Sequence, residues 1–346
     1  MIIFGVALIL AACTEDTDGS PNVPPGNLNI SSVMPDTGSG GTMVVLTGNG
    51  LGDIRSIIFE KESVPAGFQS TLNTETHLIF RVPPDAIGGE QNIYFTNSAG
   101  KTSSIPFRVL AYPSVSTASN FNFTEGTQIT LEGNNLGDVQ SVVIDETGEE
   151  VTIISQEKRQ IVLEFPSSTS TRSPLKLTNS TGTMTTTQEF INIDKALLIF
   201  GDTYGEGFDD GSWGDAGVIS NSEFVSGTAS LGKTYQQGNW HLIGFANWWP
   251  TVPYDPSYTY LTVWIKGASQ DYSLYITTDA SEAGFGNYVD QNKLDVKAGV
   301  WNYFKIPLAD IDFWSEGKTL QQLGFRIQGP DKQDEVFYFD DVMLVK

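Results

Sequence analysis

Positive charge, histidine and cysteine are all scarce in this chain of 346 residues, where 19 Lys and Arg stand against 41 Asp and Glu, with two His and one Cys. The formal net charge of −22 argues against nucleic acid, whose phosphates need clustered cations. A lone Cys excludes a disulfide framework, and two isolated His leave little for a zinc site or a Ser-His-Asp hydrolase. What is plentiful is turn chemistry: 35 Gly and 16 Pro with 39% hydrophobic residues describe a turn-rich, all-β chain. At roughly 100–200 residues per domain, the length predicts two or three domains. All seven Trp lie at or beyond Trp213.

Residues 1–12, MIIFGVALILAA, are apolar but shorter than the roughly 20 residues that span a bilayer, and read as the hydrophobic segment of a secretory signal. Leu10-Ala11-Ala12-Cys13 resembles a bacterial lipobox, which makes Cys13 the expected lipidation site and membrane anchor. No Lys or Arg precedes the run, so a start further upstream is expected. Residues 13–30 form a tether too polar to bury anything. Its opening Thr14-Glu15-Asp16-Thr17-Asp18 resembles the export signal that sends Bacteroidota lipoproteins to the cell exterior. Read only as a solvated spacer, the same run leaves the protein facing the periplasm.

Two repeats follow, at 31–111 and 112–193. Gly48-Asn49-Gly50-Leu51-Gly52-Asp53 realigns with Gly133-Asn134-Asn135-Leu136-Gly137-Asp138, and Asn97-Ser98-Ala99-Gly100 with Asn179-Ser180-Thr181-Gly182. Short Val, Ile and Thr runs between Gly, Asn and Pro turns predict a small antiparallel sandwich in each. The repeated segments resemble the IPT/TIG family of immunoglobulin-like domains. His77 reads as a strand-surface residue, and the Gly-rich segments lack the Lys-Ser/Thr of a phosphate loop.

From 194 to 346 the strands lengthen and become aromatic. Tyr258-Thr259-Tyr260-Leu261-Thr262-Val263-Trp264-Ile265 alternates, placing Leu261, Val263 and Ile265 on one face. A two-sheet β-jelly roll with one sheet face left open is expected. Segments such as Trp264-Ile265-Lys266-Gly267 and Phe339-Asp340-Asp341-Val342 resemble carbohydrate-binding jelly rolls. The order of lipobox, tandem IPT/TIG domains and jelly roll resembles the surface glycan-binding protein B group, the SusE-position lipoproteins of Bacteroidota polysaccharide utilisation loci. That resemblance implies a non-catalytic protein that captures β-glucans or related polysaccharides and passes them to a SusC/SusD-like transporter.

A pyranose packs its axial C–H face on an indole or phenol and needs hydrogen-bond partners at its rim. Trp240, Trp248, Trp249 and Tyr254 lie among Gln, Asn and turn residues, and are the first candidates for such a platform. Adjacent Trp248 and Trp249 cannot both enter a core from extended backbone. Trp213, Trp314 and Tyr288 are further candidates in loops, and Arg326 and Gln328 would supply hydrogen bonds from one strand face. Trp264 and Trp301, inside strand-like runs, read as packing. Asp202, Glu206, Asp209, Asp210, Asp340 and Asp341 raise a structural calcium ion as a further expectation; no other cofactor is required. The rival classes are a sandwich-fold hydrolase or lyase, with His241 the only His in the domain to serve as a lyase base, and a lipoprotein that docks proteins.

Overall fold

The structure, a computed structural model, describes residues 26–238, 240–328, 330 and 332–346. The signal segment, Cys13 and the tether up to residue 25 lie outside the described residues. The described chain is all-β, with helix limited to five three-residue 3-10 turns.

Strict alternation of buried and open positions in strands such as Gly89–Asn97 gives each repeat one apolar face to cover, and two sheets closing on one another cover it. In the first sandwich, Asn29–Met34, Met43–Asn49 and His77–Arg81 oppose a five-stranded sheet running from Thr37–Gly38 to Val64–Pro65. Phe59, Phe80, Phe95 and Phe107 meet edge to face in its core. The second repeats the plan between Ser114–Ala118 and Thr183–Asn192, around Phe123, Leu131, Leu163 and Leu177. The duplicated glycine does the same job twice. Gly48 lies against the Asn29 carbonyl and Gly133 against that of Ser114, where a β-carbon would overlap the crossing strand.

The remaining strands build a jelly roll of two facing sheets. One has the order Val218–Ser220, Ser230–Tyr235, Glu335–Val345, Tyr260–Lys266, Trp301–Pro307, with Leu197–Phe200 also paired to Glu335–Val345. The other has the order Asp209–Asp210, Leu242–Ala246, Gln322–Ile327, Tyr272–Thr278, Lys293–Val296. Ile243, Phe245, Val263, Ile276, Phe325 and Phe339 belong to the core between them.

The units are joined by packed junctions. Thr181 of the second sandwich accepts from the Ala111 amide, and Asn179 donates to the Ala111 carbonyl at 2.8 Å. Phe121 of the second sandwich stacks on Trp264 and Tyr303 of the jelly roll, with centroids 5.9 and 4.8 Å apart. The Trp264 indole donates to Asn120 Oδ1 at 3.1 Å. Trp264 is therefore a packing residue, but of a domain junction.

Candidate functional site

The exposed Trp residues gather at the two ends of the strand Leu242–Ala246, whose five residues span about 13 Å. Beyond its C-terminal end, the turn 247–251 lifts Trp248 and Trp249 out of the fold, 59% and 85% exposed. The Asn247 side chain closes that turn by accepting from the Thr251 amide at 3.0 Å. Tyr254 stands beside them in sequence and meets Trp314 edge to face at 5.7 Å. Trp314 is half-buried against the core and donates its indole N–H to the Lys318 carbonyl at 3.0 Å, which fixes its orientation.

At the N-terminal end are Trp240, 55% exposed, and Trp213, 38% exposed. Trp213 is held by backbone pairing with Leu242, at 3.1 Å from its amide to the Leu242 carbonyl. Beneath it the fully buried Lys233 reaches from Ser230–Tyr235 and donates to the carbonyls of Trp213, at 3.1 Å, and Asp215. Burial lowers the Lys233 ammonium from its ordinary range, and the Asp210 and Asp215 charges oppose that shift. Trp240 stands edge-on to His241, with ring centroids 3.9 Å apart. His241 is only 1% exposed, and neither ring nitrogen has a hydrogen-bond partner among the described residues. Gly214, at φ +80°, lies against the imidazole so closely that a β-carbon would overlap the ring.

The outer face of the second sheet differs from the sequence expectation, because it is covered. The loop 279–289 folds back over it, tied to Thr277 by the Gly286 amide at 2.6 Å. Phe285 lands over Gly324 and meets Trp213 edge to face at 5.5 Å. The physical reason is the paired Gly244 and Gly324 on adjacent strands: the Gly211 backbone crosses close over the first and the Phe285 ring over the second, where a β-carbon would crowd them.

That cover changes what the predicted rim residues do. Arg326 lies over the Tyr288 ring at 4.3 Å and 6.0 Å from the Trp213 centroid, and it donates to the Gly286 carbonyl. It pins the loop, and with it Tyr288, against the sheet. The Tyr288 phenol donates to the Ile327 carbonyl at 2.6 Å. Burial raises that phenol above its ordinary value, with Arg326 pulling it back, so it stays a neutral donor. Gln328 lies past the strand end, exposed, accepting from Tyr275 at 3.0 Å. The structure thus brings Trp213, Tyr288 and Arg326 together, pairs Tyr254 with Trp314, and keeps the two groups at opposite strand ends. Phe285 and Tyr275 went unread in the sequence. The only signal for Phe285 was its bracketing by Gly284 and Gly286.

The carboxylates named for calcium lie among hydrogen-bond donors. Among the described residues no three or more His, Cys, Asp or Glu side chains gather as a metal site. Asp202 accepts from the Thr228 and Ala229 amides at 2.6 and 2.9 Å, and Asp340 from those of Val225 and Ser226 at 2.8 and 3.3 Å. Asp341 accepts from the Asn122 amide at 2.9 Å and the Ser226 hydroxyl at 2.8 Å. Glu206 is exposed, and Asp209 accepts from the Asp210 amide at 2.8 Å. Asp202, Asp340 and Asp341 thus face N–H and O–H hydrogens of the loop 221–230 and its neighbours, while burial and the neighbouring carboxylates raise Asp340 and Asp341 above the ordinary carboxyl range. A cavity of about 610 Å³ at this junction, lined by Asn120, Asn122, Asp202, Ser226 and Asp341, has no aromatic wall to stack a sugar.

Fold and platform define a class of protein: paired immunoglobulin-like sandwiches carrying an aromatic-rimmed jelly roll. The IPT/TIG domain family model matches residues 113–191. No curated protein matches the chain in sequence. Among solved structures it is similar to the surface glycan-binding protein PbSGBP-B from Prevotella bryantii, at TM-score 0.53 and 17% identity over 92% of this chain and 98% of that one. An SGBP-B from a complex xyloglucan utilization locus in Bacteroides uniformis is similar at TM-score 0.45 and 18% identity, over 92% of this chain and 99% of that one. The Prevotella likeness is one of fold, and it spans all three units.

Proposed function

We propose that this chain is a non-catalytic cell-surface glycan-binding protein whose jelly roll captures a neutral polysaccharide. The observation that carries the reading is the pair Trp248 and Trp249, 59% and 85% exposed on a hydrogen-bonded turn that leads to Tyr254. A secreted protein gains nothing from such exposure unless a flat apolar partner covers it. The PbSGBP-B chain of the same fold carries the name of a glycan-binding protein. A chain of net charge −22 repels uronate and sulfate polymers, so the preferred ligand is a β-glucan such as laminarin, mixed-linkage glucan or xyloglucan. Lipidation at Cys13 would anchor the protein in the outer membrane, facing outward, beside a SusC/SusD-like transporter.

Affinity electrophoresis in gels cast with each of these glucans tests the reading. The wild type is retarded by at least one of them, and Trp248→Ala and Trp249→Ala each weaken retention about tenfold or more, the scale of a hot-spot loss near 1.4 kcal/mol. Retention by none of a broad panel, or release of reducing ends from any, overturns it.

A further inference from the structure

The first jelly-roll sheet has an outer face that is only half used. Thr262, Trp264, Tyr303 and Asp340 lie on the half that meets the second sandwich. Register defines a row on the other half: Val218 pairs Gly232, Gly232 pairs Tyr338, Tyr338 pairs Lys266, and Lys266 pairs Trp301. Cross-strand partners share a face, so all five point the same way. None of them lies on the sandwich side, and Val218 is 69% exposed. The Tyr338 ring leans over Gly232, where a β-carbon would come within 3.2 Å of its edge, and so presents ring surface outward. Beside it runs a groove of about 570 Å³ that includes Asp215, Ser220, Asn221, Thr234, Val336 and Tyr338 in its lining.

We propose that this face is a second polysaccharide-binding surface, with Tyr338 and Trp301 as its stacking residues and Asn221, Thr234 and Lys266 as hydrogen-bond partners for hydroxyls. It rests on the reading that the jelly roll binds neutral glycans. Three observations favour a sugar chain over a protein. Tyr338 and Trp301 stand two strand spacings apart, about 10 Å, with the paired Lys266 and Glu223 between them. Discrete aromatic patches separated by polar groups match a polymer that alternates ring faces with hydroxyls, whereas a protein interface needs a contiguous apolar centre. The carboxylates of Asp215 and Glu223 in and beside the groove suit an uncharged occupant. Continuity supplies the third: Asp215 and Ala216 form a groove wall immediately after Trp213, the exposed indole at the N-terminal end of Leu242–Ala246, so one chain crossing that turn passes from Trp213 into the groove.

The test uses the full chain, with Tyr338→Ala, Val336→Arg and Trp248→Ala/Trp249→Ala variants, against mixed-linkage glucan, laminarin and xyloglucan and short oligosaccharides of each. Val336 is 40% exposed in the groove, so Val336→Arg blocks it without opening the core. Both outer-face variants should retain short-oligosaccharide binding at the Trp platform yet lose polymer retention by about tenfold or more, as removal of one of two linked sites requires. Polymer binding within twofold of wild type in both variants overturns this inference and leaves the platform reading standing. Loss of all binding in the Trp double variant, with the outer-face variants unaffected, does the same. A wild type that binds no glucan overturns both.

Discussion

His241 shows how far one residue's role depends on its surroundings. In the sequence it was the sole His able to serve as a lyase base in the jelly roll. In the structure it is 1% exposed, wedged between Trp240 and Gly214, with both nitrogens unpartnered among the described residues. A buried polar ring without hydrogen bonds costs about 1–3 kcal/mol, so its work here is shape: it props Trp240 upright. His241→Phe, ring for ring, should therefore leave the melting temperature unchanged or raise it, and leave glucan affinity within twofold, by calorimetry. A variant that folds but loses binding by tenfold would instead make the imidazole a ligand contact. The Trp pair follows the opposite course, because extended-chain geometry alone required at least one of the two indoles outside, and the turn 247–251 exposes both.

At the level of strands and loops, the alternation was legible and the environment of each face was not. The run Tyr260–Lys266 places Leu261, Val263 and Ile265 in the core as its pattern requires, yet five consecutive residues are buried, since the second sandwich covers the other face. That is why Trp264 and Trp301 looked alike in sequence and differ in the structure: one lies under Phe121, and the other sits, partly buried, on an edge strand. The loop 279–289 had no periodicity to betray its fold over the glycine pair. The loop 221–230 carries the clearest test at this scale. Its amides and hydroxyls occupy Asp202, Asp340 and Asp341 as a cation otherwise would, so thermal melting in EDTA and in millimolar calcium should coincide. A calcium-dependent rise of several degrees would show that these oxygens turn to a metal instead.

Across the whole molecule, the junction of second sandwich and jelly roll decides how the platform is presented. Phe121 is sandwiched with Trp264 and Tyr303, and Glu189 receives both Arg172, at 3.0 Å, and Lys305 from across the junction. Burial alone would raise the Glu189 carboxyl, but Lys305 and Arg172 more than reverse this and hold it below its ordinary value. A carboxyl lowered in the folded state contributes fully above its unfolded pKa, and the contribution fades as pH falls through the lowered value. The aromatic contact has no such dependence, so its share of the junction grows as pH falls. Phe121→Ala, which removes a partly buried ring at a cost of about 2–4 kcal/mol to the contact, should free the jelly roll to move on its stalk. Small-angle scattering should then show a broader distribution of interatomic distances, while affinity for a short oligosaccharide stays within twofold of wild type. If the scattering profile does not change, the remaining ties through Asn120, Asn122 and Glu189 hold the orientation without the ring. If oligosaccharide affinity falls with it, the junction acts on the binding surface itself, and the stalk and the jelly roll are one functional unit.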